Sequence, residues 1–223
     1  MITHASVMAC AAWNIPLCGM EPGRRYLHHP SFSFDASTMD LLYPLMVGGE
    51  IHILQEEVRR DLGAVYRYCL DNDIYGMTIS TAMGMALLNQ YDMPVHYMML
   101  GGEKLLQVRR TEVRLINGYG PTEFTVCSSY HVVDQERDVD IPIGRPVPNS
   151  WSVICDADGQ LLPQGFAGEL ALAGPQIAEG YWQLPEKTAS VFVGCPCVVG
   201  DNKRTTTRMY RTGDLARYND EGT

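Results

Sequence analysis

Strand and helix patterns alternate along residues 32–127. Short apolar stretches typical of buried strands are separated by segments whose apolar residues recur at helical spacing. This alternation indicates a mostly parallel sheet whose strands are joined by crossover helices, an α/β fold. Ligands of such sheets bind beyond the carboxyl ends of the strands, so the residues after each strand are the first candidates for a site.

The elements follow from the same patterns. We predict helices over residues 1–13, 36–46, 55–70, 81–90 and 104–110, and strands over residues 31–35, 50–54, 74–79, 95–100 and 113–117. After about residue 138 the chain changes to short strands joined by glycine turns, over residues 151–155, 168–172 and 174–181, with one helix over 185–192, an exposed loop over 194–208 and a hairpin over 209–218. We therefore expect an α/β subdomain over residues 1–138 and a small β-barrel-like subdomain over residues 139–223.

One loop carries an unusual amount of polar chemistry. Residues 115–127 read LINGYGPTEFTVC, two apolar stretches around a turn shaped by glycine and proline. The turn offers the amide of Asn117, the ring of Tyr119, the hydroxyl of Thr122 and the carboxylate of Glu123. A purine nucleotide with its metal would use all four groups, whereas the structural alternative is a turn that only joins two strands.

Two further carboxylates have alternative interpretations. Asp35 follows a predicted strand, so it either caps the next helix or forms a buried carboxylate that waits for a cation. Asp214 follows the predicted turn at Thr212-Gly213, where it either closes an Asx-turn or accepts two hydroxyls, such as those of a ribose.

The charge and the cysteines restrict the class of protein. The formal net charge is −9 and no cluster of lysine and arginine offsets it, which argues against a nucleic-acid surface and favours a small-molecule ligand. The 7 cysteines show no CxxC pair and no histidine at zinc spacing, so we expect reduced thiols and a cytoplasmic protein. No apolar run reaches the roughly 18 residues of a membrane span.

Six motifs in order along the chain resemble the adenylation domains of nonribosomal peptide synthetases, in the adenylate-forming superfamily. They are FSFDAS at 32–37, LMVGGEIHIL at 45–54, NGYGPTE at 117–123, IGRPVPN at 143–149, GELALAGPQIAEGYW at 168–182 and YRTGDLARY at 210–218. The resemblance implies an ATP-dependent ligase that forms an aminoacyl-AMP and pyrophosphate from an amino acid. It also implies ATP and Mg²⁺ at the site, and a carrier protein domain with phosphopantetheine outside this chain.

The resemblance implies a role for each matching residue. Tyr119 would stack on adenine, Asn117 would bond its amino group, Thr122 would touch the phosphate, Glu123 would hold Mg²⁺ and Asp214 would take the ribose hydroxyls. Thr122 and Glu123 would be the catalytic pair. The other nucleotide-binding positions would be Gly101, Gly102, Glu103, Gly118 and Gly120.

By the same resemblance, Asp35 would pair with the α-ammonium group of the substrate. The side-chain pocket would be lined by Ala36, Met39, Thr78, Met99, Gly101, Gly118, Val126 and Cys127. This lining carries no charge, so a hydrophobic or aromatic amino acid fits it best.

The sequence also departs from the family pattern. The family's phosphate loop and its C-terminal lid, which carries a catalytic lysine, have no counterpart in these 223 residues. We therefore expect a partial adenylation domain with little activity alone. Two alternatives stay open, a relative of acyl-CoA synthetases and a catalytically inactive nucleotide-binding fragment.

Overall fold

A computed structural model describes residues 1–106, 109–138, 140–194 and 208–223. The chain divides into two compact units that alternate along the sequence. The parallel-sheet unit contains residues 11–119 and 130–144, and the antiparallel-sheet unit contains residues 1–10, 120–129 and 145–223. The division at residue 138 stays a prediction, and residues 195–207 of the expected loop lie outside the described residues.

The helices are α1 (His4–Cys18), α2 (Ser37–Met46), α3 (Glu56–Arg59), α4 (Leu62–Asp71), α5 (Thr81–Gln90) and α6 (Pro185–Val191), with a 3-10 turn at Thr122–Phe124. The first strands are β1 (Arg25–His28), β2 (Glu50–Ile53), β3 (Ile74–Ser80), β4 (Tyr97–Gly101), β5 (Arg114–Tyr119), β6 (Ser129–Val132) and β7 (Arg145–Pro146). The last strands are β8 (Trp151–Cys155), β9 (Gly168–Ala173), β10 (Phe192–Gly194) and β11 (Arg208–Ala216).

The parallel-sheet unit contains five parallel strands, in the order β2-β1-β3-β4-β5. The chain leaves β1 through α2 toward β2 on one side, and it then returns through α3 and α4 to β3 on the other side. Because crossovers between parallel strands are right-handed, α2 and α4 lie on opposite faces of the sheet. The change of direction between β1 and β3 is a topological switch point, where α/β sheets open a crevice.

The core of this unit lies under α4 and α5. Val65, Leu87, Met77, Ile79 and Leu100 belong to one cluster of buried side chains from these helices and from the sheet. A Cβ added at Gly84 would lie 2.3 Å from Leu100, so α5 packs on the sheet with its glycine against the strand. The predicted α/β fold is therefore confirmed, and the apolar residues of the alternating sequence pattern form its core.

The antiparallel-sheet unit contains four strands in the order β10-β11-β9-β8, and each neighbouring pair is antiparallel. The register between β11 and β9 shifts between Arg211 and Leu215. The expected strand over residues 174–181 is wrong, because this segment turns, with the N–H of Ile177 bonded to the carbonyl of Gly174 at 3.3 Å.

The expected strand over residues 31–35 is also wrong. The N–H of Phe34 bonds to the carbonyl of Ser31 at 2.9 Å, so the segment folds into turns, and the strand of this region is β1. Pro30 lacks the N–H that would continue the sheet hydrogen bonds. Phe32 and Phe34 are exposed at 66% and 67%, which shows that their alternation with serine does not reflect burial on one face of a sheet.

Two predicted helices also differ from the structure. The helix expected over 55–70 is broken into α3 and α4, because the side chain of Asp61 accepts a hydrogen bond from the N–H of Ala64 and starts a new helix. Residues 104–106 and 109–110 are not helical, and residues 107 and 108 of that prediction lie outside the described residues. The first helix continues past its predicted end to Cys18 with Pro16 inside it.

Candidate functional site

Four of the predicted substrate residues lie on one face of the parallel sheet. Thr78 is level with Met99, and Gly101 is level with Gly118. Partners in register on parallel strands point to the same side, and residues two apart on one strand share a face. Thr78, Met99, Gly101 and Gly118 therefore share one face at the carboxyl ends of β3, β4 and β5.

Helix α1 packs on this same face. The amide of Asn14 donates to the sulfur of Met99 at 3.5 Å, and both residues are buried. A Cβ at Gly101 would lie 3.0 Å from the carbonyl oxygen of Gly118, so a larger residue would press on the end of β5. Met39 of α2 is 1% exposed. Met99, Gly101 and Gly118 are uncharged, so this end of the face carries no charged side chain on β4 or β5.

Asn117 and Tyr119 leave β5 on the opposite face from Gly118, because neighbouring residues of a strand alternate sides. The amide of Asn117 donates to the carbonyl of Pro142 at 2.7 Å and is 4% exposed. Its position is thus fixed by the protein itself. Beyond β4, the carbonyl of Glu103 accepts a hydrogen bond from the hydroxyl of Thr81 at 3.2 Å, which ties down the segment that starts at Gly102.

Asp35 lies in the turns before α2 rather than at a strand end, and it is partly buried. The N-cap of α2 is Ala36, which makes no side-chain hydrogen bond. The carbonyl of Asp35 accepts the hydroxyl of Thr38 at 2.6 Å, which holds its backbone at the start of the helix. Its carboxylate remains the candidate for the substrate ammonium group.

The fully buried carboxylate of this region is Asp40, which the sequence analysis missed. It is 1% exposed and accepts the N–H of Thr78 at 3.0 Å, together with the N–H of His29. Burial raises the pKa of Asp40 well above its usual value, against these hydrogen bonds. Its position next to Met39, on the apolar stripe of α2, is the sequence signal that could have found it. Asp40 joins α2 to β1 and β3 at the switch point.

The antiparallel-sheet unit holds Thr122 and Glu123, in the 3-10 turn. The hydroxyl of Tyr181 donates to the carboxylate of Glu123 at 2.5 Å, and the N–H of Ala178 donates to the carbonyl of Glu123 at 2.8 Å. Burial raises the pKa of the Tyr181 phenol, and the hydrogen bond to Glu123 raises it further. Tyr210 also contacts this pair, and burial raises the pKa of its phenol.

The chain after the 3-10 turn takes an uncommon path. Thr125 and Val126 have φ angles of 53° and 70°, in the left-handed region. Cys127 is 3% exposed, and its thiol donates to the carbonyl of Ser129 at 3.1 Å. The buried amide of Gln176 donates to the carbonyls on either side of this segment. Gln176 was not predicted from the sequence, because the GPQIAEGYW motif contains no local pattern that marks it.

Asp214 lies in the bulge of β11 and is exposed. The expected hairpin over 209–218 is wrong, since one bulged strand runs through the position of the turn. The hydroxyl of Thr212 accepts the N–H of Asp214 at 3.0 Å, and Glu169 accepts the N–H of Gly213 at 3.1 Å. Gly213 has a φ of 79°, so glycine is needed here. The bulge turns Asp214 away from the sheet ladder.

Within the described part of the chain, no group of three or more His, Cys, Asp or Glu could hold a metal ion. Glu123 nevertheless fits Mg²⁺, which commonly binds one or two carboxylates together with the phosphates of a substrate. A carboxylate held by a phenol, next to the hydroxyl of Thr122, offers the hard oxygen atoms that this ion prefers.

A sequence model of the AMP-binding enzyme family matches residues 1–182. The chain belongs to this family. Among its relatives, tyrocidine synthase 2 of Brevibacillus parabrevis is 35% identical over 228 residues, and bacitracin synthase 1 of Bacillus licheniformis is 33% identical over 222 residues. Both alignments cover 100% of the chain. The resemblance inferred from the six motifs is thereby confirmed.

Two solved structures of nonribosomal peptide synthetase proteins resemble the fold. One is a four-domain nonribosomal peptide synthetase bound to AMP and glycine, with a TM-score of 0.85, 29% identity and 96% of the chain covered. The other contains adenylation and PCP domains bound to a vinylsulfonamide inhibitor, with a TM-score of 0.79, 28% identity and 91% of the chain covered. The chain spans 16% and 36% of these two proteins, and 6% and 4% of the two synthases.

The helices in the described ranges are too short or too polar to cross a membrane. The five cysteines of these ranges, Cys10, Cys18, Cys69, Cys127 and Cys155, are buried.

Proposed function

We propose that this chain forms part of an ATP-dependent adenylation domain that activates an amino acid for nonribosomal peptide synthesis. The observation that carries the proposal is the alignment of Thr78, Met99, Gly101 and Gly118 on one face beyond the switch point of the sheet. Asn117 and Tyr119 leave the last strand on the other face. An aminoacyl-nucleotide that passes over the end of β5 would place its amino acid against the face with Thr78 and Met99. Its adenine would lie against the face with Asn117 and Tyr119.

In this proposal Asp35 pairs with the ammonium group of the substrate. A carboxylate placed before an uncharged pocket discriminates in favour of amino acids, because an acid without the amino group would leave it unpaired. Met39 and Met99 line the pocket with flexible apolar side chains, which favours a hydrophobic or aromatic substrate. Ala36, Val126 and Cys127 would complete the lining.

For the nucleotide, Tyr119 stacks on adenine, the amide of Asn117 faces its edge, and Gly101, Gly102 and Glu103 form the opposing wall. Asp214 accepts the ribose hydroxyls, a role that its exposed position in the β11 bulge supports. Gly118 and Gly120 let the loop approach the nucleotide closely.

Thr122 and Glu123 act on the phosphates. The hydroxyl of Thr122 would donate to a phosphate oxygen, and Glu123, whose carboxylate is oriented by the hydrogen bond from Tyr181, would hold Mg²⁺. Mg²⁺, when bound, supplies positive charge that offsets the repulsion between the phosphates and the attacking carboxylate. The protein's contribution is to hold both anionic reactants in line, which lowers the entropic part of the barrier.

The relatives support the remaining parts of the proposal. One solved relative contains a PCP domain in addition to its adenylation domain. We accordingly place a carrier protein domain with phosphopantetheine downstream of the reaction, as the acceptor of the activated amino acid. From the spacing of the cysteines we place the protein in the cytoplasm.

The test is ATP–pyrophosphate exchange with a panel of amino acids, on the protein that carries this chain. The proposal predicts exchange that depends on an α-amino acid, most strongly on a hydrophobic or aromatic one. Exchange with fatty or aryl acids that lack the amino group would favour the acyl-CoA synthetase alternative. Binding of ATP without exchange for any acid would favour the inactive nucleotide-binding alternative.

A further inference from the structure

Two rows of residues lie at the carboxyl end of the parallel sheet, on the face against which α1 packs. Gly101 and Gly118 are level with each other in the outer row. The inner row lies two residues earlier along β4 and β5, which is about 6.6 Å deeper. Its members on β1, β3, β4 and β5 are His28, Thr78, Met99 and Ile116. Because glycine has no side chain, the outer row places nothing above the inner row on β4 and β5.

The polar atoms of two inner-row side chains already have partners. The hydroxyl of Thr78 bonds to the buried carboxylate of Asp40, and the sulfur of Met99 accepts the amide of Asn14 at 3.5 Å. Ile116 has no polar atom in its side chain. The fourth member of the row, on β1, is therefore the side chain that a polar atom of a ligand would meet there.

This fourth member, His28, is buried without a hydrogen bond. It is 3% exposed, and neither ring nitrogen has a hydrogen-bond partner within the described part of the chain. Phe32 packs against the imidazole with 4.5 Å between the ring centroids, which helps to keep water away. By contrast, His29 bonds to a backbone carbonyl at 3.3 Å and His52 to a phenol at 3.1 Å. An unpaired buried polar group is costly and calls for an explanation, and a ligand that bonds to the imidazole supplies one.

The chemistry of the imidazole limits which ligand atom can bond to it. Burial lowers the pKa of His28, and the charge of Arg59 lowers it further, so the ring is neutral with one donor and one acceptor nitrogen. A charged ligand group would have to be buried against this neutral ring, which is costly. A hydroxyl fits, because it can donate to one nitrogen or accept from the other. Since the inner row is deep, the hydroxyl must end a long side chain.

We infer that His28 binds a hydroxyl at the end of the substrate's side chain, so that the preferred amino acid resembles tyrosine rather than phenylalanine. That the ligand is an amino acid rests on the proposed function. The location of the site rests on the strand register and on the unpaired imidazole, both within the parallel-sheet unit.

The experiment compares three ligands that differ only at the end of the side chain. The probes are the sulfamoyl-adenosine analogues of tyrosyl-, phenylalanyl- and 4-methylphenylalanyl-AMP, titrated by calorimetry into the 223-residue chain. The tyrosyl analogue should bind about 5- to 50-fold more tightly than the phenylalanyl analogue, because the latter leaves the buried imidazole unpaired. The methyl group of the third analogue fills the space of the hydroxyl without its hydrogen bonds. This analogue should therefore bind no more tightly than the phenylalanyl one.

His28→Phe keeps a ring at this position and removes both nitrogens. It should bind the tyrosyl and phenylalanyl analogues alike, within about twofold, because neither ligand then loses a buried hydrogen bond. His28→Leu also lacks both nitrogens and takes its place if His28→Phe does not fold. His52→Phe is the matched control on the neighbouring strand, since His52 is level with Leu27, whose side chain belongs to the core cluster on the opposite face. It should leave the preference for the tyrosyl analogue unchanged.

The outcomes separate two failures. If the unsubstituted chain binds neither AMP nor any analogue, the proposed function fails and this inference fails with it. If the chain binds AMP, and the phenylalanyl analogue at least as tightly as the tyrosyl one, the proposed function stands and the inference is overturned. A preference for the tyrosyl analogue that survives the loss of the imidazole would also overturn it, since the hydroxyl would then have another partner.

Discussion

The phenol of Tyr181 donates a hydrogen bond of 2.5 Å to the carboxylate of Glu123, 58 residues earlier in the chain. The ring of Tyr181 is itself held edge-on against Phe192, with 5.8 Å between the ring centroids, and Lys187 lies 4.5 Å over its face. One oxygen of Glu123 is thus engaged by a side chain that cannot easily move. The carboxylate is oriented before any ligand binds, which is the arrangement expected of a residue that meets a metal ion.

Tyr181→Phe should weaken the binding of ATP in the presence of Mg²⁺ by about 10-fold, because losing a hydrogen bond to a charged group costs roughly 1.5–3 kcal/mol, part of which is recovered by water. Without Mg²⁺ the variant should bind ATP like the unsubstituted chain. Calorimetric titration with and without the ion measures the difference. Tyr66→Phe, in the stacked pair with Tyr91, is the control. An equal loss with and without Mg²⁺ would contradict the role given to Glu123.

Asp35→Asn should weaken the binding of an aminoacyl sulfamoyl-adenosine by ~10- to 100-fold, since the substituted amide no longer pairs with the ammonium group as a charge. The des-amino analogue of the same ligand should bind both proteins alike. Asp61→Asn, at the exposed start of α4, controls for loss of a surface charge. If Asp35→Asn weakens the binding of both ligands by the same factor, Asp35 acts on something other than the amino group.

Stability should fall as the pH falls from 6.5 toward 4. Burial lowers the pKa of His29 from 6.5 to about 4, so between these values the unfolded state binds more protons than the folded state, and acid favours unfolding. The lowering corresponds to ~3 kcal/mol at most. Urea unfolding of the chain and of His29→Gln across this range measures the effect. The variant should show a shallower pH dependence, and equal slopes would show that His29 does not titrate this way.

Gly76→Ala should destabilise the chain by roughly 2–4 kcal/mol, because the new methyl group would lie 2.1 Å from the ring of Tyr97 in a packed sheet. Gly194→Ala, where a Cβ meets nothing within 4 Å among the residues that the structure describes, should be nearly neutral. Thermal unfolding compares the two variants. A Gly76→Ala variant as stable as the parent would show that Gly76 of β3 does not lie opposite Tyr97 of β4.

The α/β architecture was predictable because the alternation of patterns reflects burial on both faces of a parallel sheet. The strand expected over residues 31–35 was not, because alternating serine and phenylalanine gives the same pattern when the aromatic rings face solvent in turns. Likewise, the bulge of β11 depends on Glu169, which is distant in sequence from Thr212-Gly213 and gives no local signal.

Some residues of the candidate site could likewise be predicted from the sequence, and others could not. The NGYGPTE motif marked Asn117, Tyr119, Thr122 and Glu123 through local chemistry alone. Tyr181, which orients Glu123, and Gln176, which holds the segment directly after the motif, act over 49 to 58 positions of sequence and become visible only in three dimensions. Asp40 was not predicted, because helical periodicity assigns a carboxylate to the solvent side of a helix. Its burial is explained only by its hydrogen bonds to the backbone N–H groups of Thr78 and His29.

The most direct test of the central claim, that one crevice receives both the adenine and the amino acid, is calorimetric titration of the chain with AMP and with a phenylalanyl sulfamoyl-adenosine. Ligands that span both halves of a reaction site bind far more tightly than either part, so the analogue should bind at least ~100-fold more tightly than AMP. Tyr119→Ala should weaken both ligands. An analogue that binds no more tightly than AMP, or that is indifferent to Tyr119→Ala, would contradict the account.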